Sequence, residues 1–431
     1  MDKDTRLVVY LRRYMLNFRE YNRATIWFLL VVLTAVSFPW NVRLNSIGVA
    51  LLSLHWLIDK DLLKKVRSLF DEIGLIGLLL WGFFFMHLLG LLWSPDPMGG
   101  LQSVEVKLSF LILPLIFSTE NYLVATNTRR LMLYFTISCC LSFFYATAYS
   151  FAHFHQSGLA VILNRMNISE GIMHPGYYSN YFAFALVWCV FEWRENRHLN
   201  KQIQIWLPFI MLFMSVALLL LISKTAILFM ACFSVYVLWL LAGFFSKKGY
   251  RGIAFVASLL FCLAIAVSIP TIKHRILETF SDTGTMDKQT GLHNSTGSRI
   301  IAWEHEWDLI KANWLKGYGT GESNLLLKRT LMEDGYTNLA TANMHTHNQV
   351  FHTWLDVGIV GVLLLMFILY ISGRIFYRRG NSLAWWLIPL ITFNILTDDM
   401  LEVQAGTVFF IFFLTLFLYG KNKKKEKFIV I

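Results

Sequence analysis

Twelve apolar runs, most long enough to cross a hydrocarbon core of about 30 Å, set the terms for any fold of this chain. They lie near 25–41, 44–58, 73–93, 104–118, 131–153, 176–193, 205–222, 225–245, 252–269, 350–372, 383–397 and 405–420, the second, fourth and eleventh being short. Lipid offers a backbone no hydrogen-bond partners, so such runs close their own hydrogen bonds as helices. The expected fold is an all-α polytopic membrane protein with about twelve transmembrane helices. Composition agrees: of 431 residues, 56% are hydrophobic and 15% charged, against about 25% charge in soluble chains. The aromatic load of 36 Phe, 15 Trp and 17 Tyr fits lipid-facing and interfacial surface. Cys139, Cys140, Cys189, Cys232 and Cys262 sit inside apolar runs, without metal or disulfide spacing, and read as small core residues.

The connections alternate in charge. One set is basic, as in "DKDLLKKVRSLFDE", "RENRHLNK", "GRIFYRR" and the tail "KNKKKEK"; the other is poor in Lys and Arg or acidic, as in "SPDPMGG" and "TDDMLEVQ". The positive-inside bias makes the basic set and both termini cytoplasmic. The first run follows a long charged segment with no small-residue cleavage site, so it does not read as a cleavable signal. The net charge of +11 is then mostly topological, which argues against a nucleic-acid partner. The chain divides into a membrane domain at 1–269 with spans 1–9, one large outer loop at 270–349 between spans 9 and 10, and a second membrane part at 350–431 with spans 10–12 and a basic cytoplasmic tail. Within the loop, Trp303, Trp307, Ile310 and Trp314 recur at three- and four-residue spacing. That spacing predicts an amphipathic helix on the membrane surface, with Ser298 as its N-cap and "KGYGTGES" as its end.

Ionisable residues at membrane depth are costly unless paired or facing a cavity, so they mark candidate sites. Lys224, Glu105, Lys107, His174, Arg299, Asp398, Asp399 and Glu402, together with His345, His347 and His352, all fall toward the outer face. Each has an ordinary reading as well. Lys224 can snorkel at a helix end, Arg299 can be a surface charge, and Glu105 and Lys107, two apart, need separate partners. The spacing His345-x-His347 followed by His352 resembles a ligand set, yet no Cys or Glu completes a tight shell and H-E-x-x-H is absent. No metal is expected. His345 and His352 read as hydrogen-bonding or interfacial residues.

His347-Asn348, then Asp356-x-Gly358-x-x-Gly361 and an apolar span, resemble the hallmark of the O-antigen ligase and polymerase superfamily. "GSRIIAWEHEWDLIKANWLKGYGTG" is similar to that family's Arg…Trp…Gly-x-Gly block. "LLISKTAIL" stands where the family has a Ser-Arg-Thr or Ser-Arg-Gly element, with Lys224 in place of the arginine. "LLWSPDPMGGLQSVEVKLSFLILPLIF" and "DDMLEVQAGTVFFIFF" look like its flanking stretches. The resemblance implies a fold like that of the C-type glycosyltransferases in a bacterial inner membrane. It also implies a periplasmic active site, an undecaprenyl-diphosphate-linked glycan as donor, a lipid A core as acceptor, and no cofactor. Carried over, Arg299 and Lys224 bind the diphosphate and His347 is the general base, with Asn348, His345, His174, Glu105, Lys107, Asp398 and Asp399 as substrate or supporting residues. Cationic side chains can stabilise a diphosphate leaving group where no metal serves, and an imidazole titrating near neutrality suits proton removal from a hydroxyl. Displacement with base and diphosphate on opposite faces inverts the anomeric carbon. Three other readings stay open: a glycan polymerase, a protein O-oligosaccharyltransferase, and a polytopic transporter. The transporter lacks support from an inverted repeat or matched broken helices.

Overall fold

The computed structural model describes residues 23–120, 125–157, 168–170, 172–195, 201–221, 223–242, 295–342 and 344–420, and all secondary structure among them is helical. The helices are α1 (Arg23–Ser37), α2 (Val42–Leu57), α3 (Leu62–Gly90), α4 (Pro97–Val106), α5 (Ser109–Thr119), α6 (Ala125–Phe154), α7 (Pro175–Glu195), α8 (Lys201–Leu221), α9 (Lys224–Ala242), α10 (Ser295–Ala312), α11 (Ser323–Glu333), α12 (Thr337–Thr341), α13 (Gln349–Arg379), α14 (Ser382–Thr397) and α15 (Gln404–Tyr419). Five stretches are long and apolar enough to cross a membrane: 62–93, 97–119, 127–154, 201–221 and 349–379. Shorter apolar helices, α1, α2, α9, α14 and α15, pack among them. The ninth expected span, 252–269, lies outside the described residues.

The most apolar helix does not face lipid. In α15 every residue from Ala405 to Leu418 is buried. Phe409, Phe412, Phe413 and Phe417 meet the rings of Phe117, Phe135 and Phe184 from three other helices and of Phe38 from the turn after α1. The aromatics expected at lipid-facing surface are thus divided, with one set exposed, as at Phe144, Phe151 and Phe209, and another packed inside the bundle. Helices in lipid gain little from hydrophobicity and associate through close packing and polar contacts, and interlocked rings supply the first. The second comes from Asn180 and Asn394, whose amides exchange hydrogen bonds of 2.7 and 3.1 Å, and from Tyr181, which donates to the Ala405 carbonyl. The lipid face falls to helices such as α8, where Ile205, Trp206, Phe209 and Leu212 are exposed.

Polar clusters close the two ends of the bundle. At one end Arg23 and Lys65 bridge the buried carboxylates of Asp59 and Glu120, and Arg129 pairs with Glu192. The opposite end carries most of the candidate residues, and there two expected spans are interrupted. The run expected as one span at 104–118 breaks at Lys107 into α4 and α5. Helix α13 breaks at Gly358, whose φ of 70° and ψ of −170° are non-helical. The Gly-x-x-Gly expected to lead into a membrane helix therefore lies within it.

The break has a use. It frees backbone groups that the segment after α10 satisfies: Tyr318 N–H donates to Leu355 O at 2.6 Å, Gly319 N–H to Asp356 O at 2.9 Å, and Ile359 N–H to Trp314 O at 3.0 Å. The two backbones lie in contact. A Cβ at Gly358 would strike the Leu315 carbonyl, and one at Gly317 would meet Leu355 O and Gly358 N. The outer segment is thus three helices, α10 to α12, docked on the bundle. Helix α10 starts at Ser295 rather than after the Ser298 expected as its cap. Its aromatic face rests on α13: Trp307 stacks on Phe351 and meets Trp354 edge-on, and Trp303 Nε1 donates to Thr346 O at 2.9 Å.

Gly74 shares the backbone conformation of Gly358 (φ 59°, ψ 178°), but nothing lies within 4 Å of a Cβ placed there. Strain alone costs about 1–3 kcal/mol at such a position, and only Gly358 adds a backbone collision. G358A is expected to lower the thermal midpoint in detergent clearly more than G74A. Equal midpoints would show that the docked segment contributes nothing to stability.

Candidate active site

His347 occupies the last turn before α13 and has a φ of 47°, the one positive value outside glycine among the described residues. Its neighbours explain how it is held. Asn348 caps α13, its Oδ1 accepting from the N–H groups of Val350 and Phe351 at 3.0 and 3.2 Å, which is ordinary work for an Asn at this position. Thr346 is fixed on the other side by Trp303. Between two anchored residues, the His347 side chain is aimed at the turn joining α14 to α15, where its Nδ1 lies 3.4 Å from Asp398 Oδ1. Both groups keep partial exposure, 28% and 21%.

The other candidates arrive at the same turn from distant parts of the chain. Arg299 Nη1 donates to Thr397 O at 2.7 Å. Thr225 shares a 2.7 Å hydroxyl contact with Thr397, which brings the first turn of α9, and Lys224 with it, to this end of α14. The first turn of α7 also abuts the turn: a Cβ on Gly176 would sit 4.0 Å from Asp398 Oδ2, and His174 Nδ1 accepts from Gly176 N–H at 3.2 Å. His345 is exposed, with its ring edge-on to that of His347 at 6.4 Å.

The two aspartates titrate in different ranges. Burial acts to raise Asp398, but hydrogen bonds from His347 and Asp399 and the charges of His347 and Arg299 hold it at about 2. Burial and the adjacent Asp398 charge push Asp399 up to about 6. An ionised carboxylate thus faces the imidazole, with a proton-binding one beside it.

A second cluster lies deeper. Lys107, with no exposed surface, donates from Nζ to Glu402 Oε2 at 2.6 Å and to Ser103 Oγ at 2.8 Å. His352 Nε2 stands 3.4 Å from Glu402 Oε2 and 3.6 Å from Asp356 Oδ2. Asp356 is held in turn by Gly321 N–H, Ser323 N–H and Ser323 Oγ of the docked segment. Lys107 therefore belongs to a buried network, whereas Glu105, two residues earlier, is exposed and outside both clusters. His347 with Asp398 and Asp399, and His352 with Asp356 and Glu402, each bring possible metal-ligand atoms within 4.8 Å of one another. In the second group the Lys107 ammonium already neutralises Glu402, and in the first the Arg299 charge lies beside both aspartates.

Two residues escaped the sequence reading. Gln349, with no exposed surface, bridges α13 to the 398–402 turn; nothing in its local pattern separates it from an exposed first-turn glutamine. Glu306 is also fully buried, neither carboxyl oxygen has a hydrogen-bond partner among the described residues, and burial pushes it well above the usual carboxylate range. A signal for it existed. Glu306 lies three residues after Trp303 and four before Ile310, on the stripe that the aromatic spacing turns inward.

Asp399 supplies a test of this electrostatic picture. Its folded value near 6 exceeds the unfolded value of about 3.9. The folded chain thus holds a proton that the unfolded chain has released, and stability from this group falls as pH rises from about 4 to about 6. The thermal midpoint of the wild type is expected to drop relative to D399N across that interval, and a constant difference would contradict the assignment.

Residues 209–366 match the family model described as O-antigen ligase. Comparison with curated proteins gives no match. The matched segment contains Lys224, Arg299, His347, Asp356 and the Gly358–Gly361 break, while the Thr397–Glu402 turn lies beyond it. Over residues 209–366 the chain is similar to the O-antigen ligase family.

Proposed function

We propose that the protein transfers a glycan from undecaprenyl diphosphate to a lipid A core acceptor at the periplasmic face of the bacterial inner membrane. The observation that carries this reading is the convergence of Arg299, the start of α9 with Lys224, and His347 on the single turn Thr397–Asp399. Two cations and an imidazole–carboxylate pair are the groups that this chemistry needs.

In the reaction, the acceptor hydroxyl oxygen bonds to the anomeric carbon as the bond from that carbon to the diphosphate oxygen breaks. His347 donates its Nδ1 hydrogen to Asp398, which leaves Nε2 to take the hydroxyl proton. Asp398, held ionised, stabilises the imidazolium that results. Undecaprenyl diphosphate departs with added negative charge, which Arg299 and Lys224 offset. The guanidinium offers five N–H donors, so Arg299 can keep Thr397 O and still engage a phosphate. Lys224 serves as a point charge without the bidentate fork of an arginine. Base and diphosphate lie on opposite faces of the sugar, so the product is inverted.

The sharpest test is the envelope phenotype. A deletion strain should make lipid A core without long-chain glycan. A core carrying a single repeat unit would assign the protein as a polymerase instead, and normal lipopolysaccharide with unglycosylated proteins would assign it as a protein-directed transferase. Complementation with H347A should fail although the protein accumulates in the membrane, with a loss of about 10²–10⁴-fold in transfer rate. R299A should lose about 10²–10³-fold, and K224R should retain most activity. Chelation with EDTA should leave the purified enzyme active, because the cations of the chain supply the charge. Loss of activity that divalent metal restores would overturn that assignment and direct attention to His347, Asp398 and Asp399 as ligands.

A further inference from the structure

The base and its carboxylate come from segments 51 residues apart, and neither α13 nor the 398–402 turn fixes their distance alone. One side chain spans the gap. Gln349, the residue after the Asn348 cap, is completely buried. Its backbone N–H donates to Asp398 O at 3.2 Å. Its Oε1 accepts from Leu401 N–H at 2.8 Å, and its Nε2 donates to Glu402 Oε1 at 2.9 Å and to Thr353 Oγ1 at 3.2 Å. Backbone and side chain thus grip the turn at three points, Asp398, Leu401 and Glu402, and the amide uses both its carbonyl and its donor nitrogen. The far anchor is itself immobile, since Lys107 and Ser103 both donate to Glu402 Oε2 at 2.6 Å.

We propose that Gln349 is a positioning residue that straps the Asp398 turn to the first turn of α13 and so sets the separation of His347 from Asp398. This rests on the reading of His347 as base and Asp398 as its partner. Gln349 touches no reacting atom in this scheme. It acts through the geometry of two residues that do, and a displacement of about 1 Å in such a pair can cost on the order of 10²-fold in rate. The polarity of the strap is defined: residue 349 must accept from Leu401 N–H and donate to a carboxylate at 402. A glutamate at 349 would place two carboxylates face to face, whereas exchanging the two side chains restores one donor and one acceptor without altering net charge.

The test uses the full-length protein purified in detergent. The donor is the undecaprenyl-diphosphate-linked glycan extracted from membranes of the deletion strain, and the acceptor is the lipid A core of that strain. Q349L and Q349E are expected to lower kcat about 10- to 100-fold while the KM for donor stays within about twofold, because the diphosphate-binding cations are untouched. The exchange variant Q349E/E402Q is expected to recover at least tenfold over Q349E. If Q349L does not accumulate as folded protein, the comparison of Q349E with the exchange variant still decides the matter. Wild-type kcat in Q349L or Q349E overturns the proposal. So does a loss shared between kcat and KM, or an exchange variant no better than Q349E. H347A measured alongside keeps the two ideas apart. Activity in H347A sinks the base reading itself, whereas an inactive H347A beside fully active Gln349 variants sinks only the strap.

Discussion

The site depends on a helix that gives up its own hydrogen bonds. At Gly358 the backbone of α13 leaves helical geometry, and Leu355 O, Asp356 O and Ile359 N–H find their partners in Tyr318, Gly319 and Trp314 instead. Unsatisfied backbone groups are expensive where water is scarce, so this exchange holds the outer segment against the bundle. Everything the segment brings then follows. Arg299 reaches Thr397, Trp303 fixes Thr346, and Ser323 with Gly321 anchors Asp356. Arg299 and His347 are set relative to each other by a seam of main-chain contacts.

Charge is layered beneath that seam. The first layer, His347 with Asp398, Asp399 and Arg299, has partial exposure at His347 and Asp398. The inner layer, Lys107 with Glu402, His352 and Asp356, is closed and nearly neutralised within itself. A buried pair of this kind contributes little net stability compared with apolar packing, and its best-attested use is to fix register. Here the register concerns four separate segments, α4, α13, the outer segment and the 398–402 turn. Glu306, on α10, is a carboxyl that the fold keeps from water and, among the described residues, from hydrogen-bond partners.

Much of this was legible in the sequence, and the limits have physical causes. Apolar runs gave most helices, because lipid leaves the backbone few alternatives. The Trp303–Ile310 stripe gave α10, since a period near 3.6 needs no tertiary information. His347, Arg299 and Lys224 stood out as charges placed at apolar boundaries. What escaped is what depends on distance in sequence. The split of residues 104–118 follows from Lys107 turning toward Glu402, a partner 295 residues away. Gln349 has no local signature, because its role is set by a turn that follows two helices later. The burial of α15 reverses the ordinary inference from hydrophobicity, since in a bilayer an apolar surface is as much at home inside the protein as outside it.

That burial bears on the order in which the molecule is made. Helix α15 is the axis around which α1, α5, α6 and α7 close, and it is synthesised after all of them. Until the turn that precedes it is made, Lys107 lacks the Glu402 carboxylate. The turn that carries Asp398 and Glu402 is also completed only with α15. The candidate site and the central packing of the bundle are therefore completed together, so a chain halted earlier carries Lys107, Lys224 and Arg299 without the carboxylates of Asp398 and Glu402.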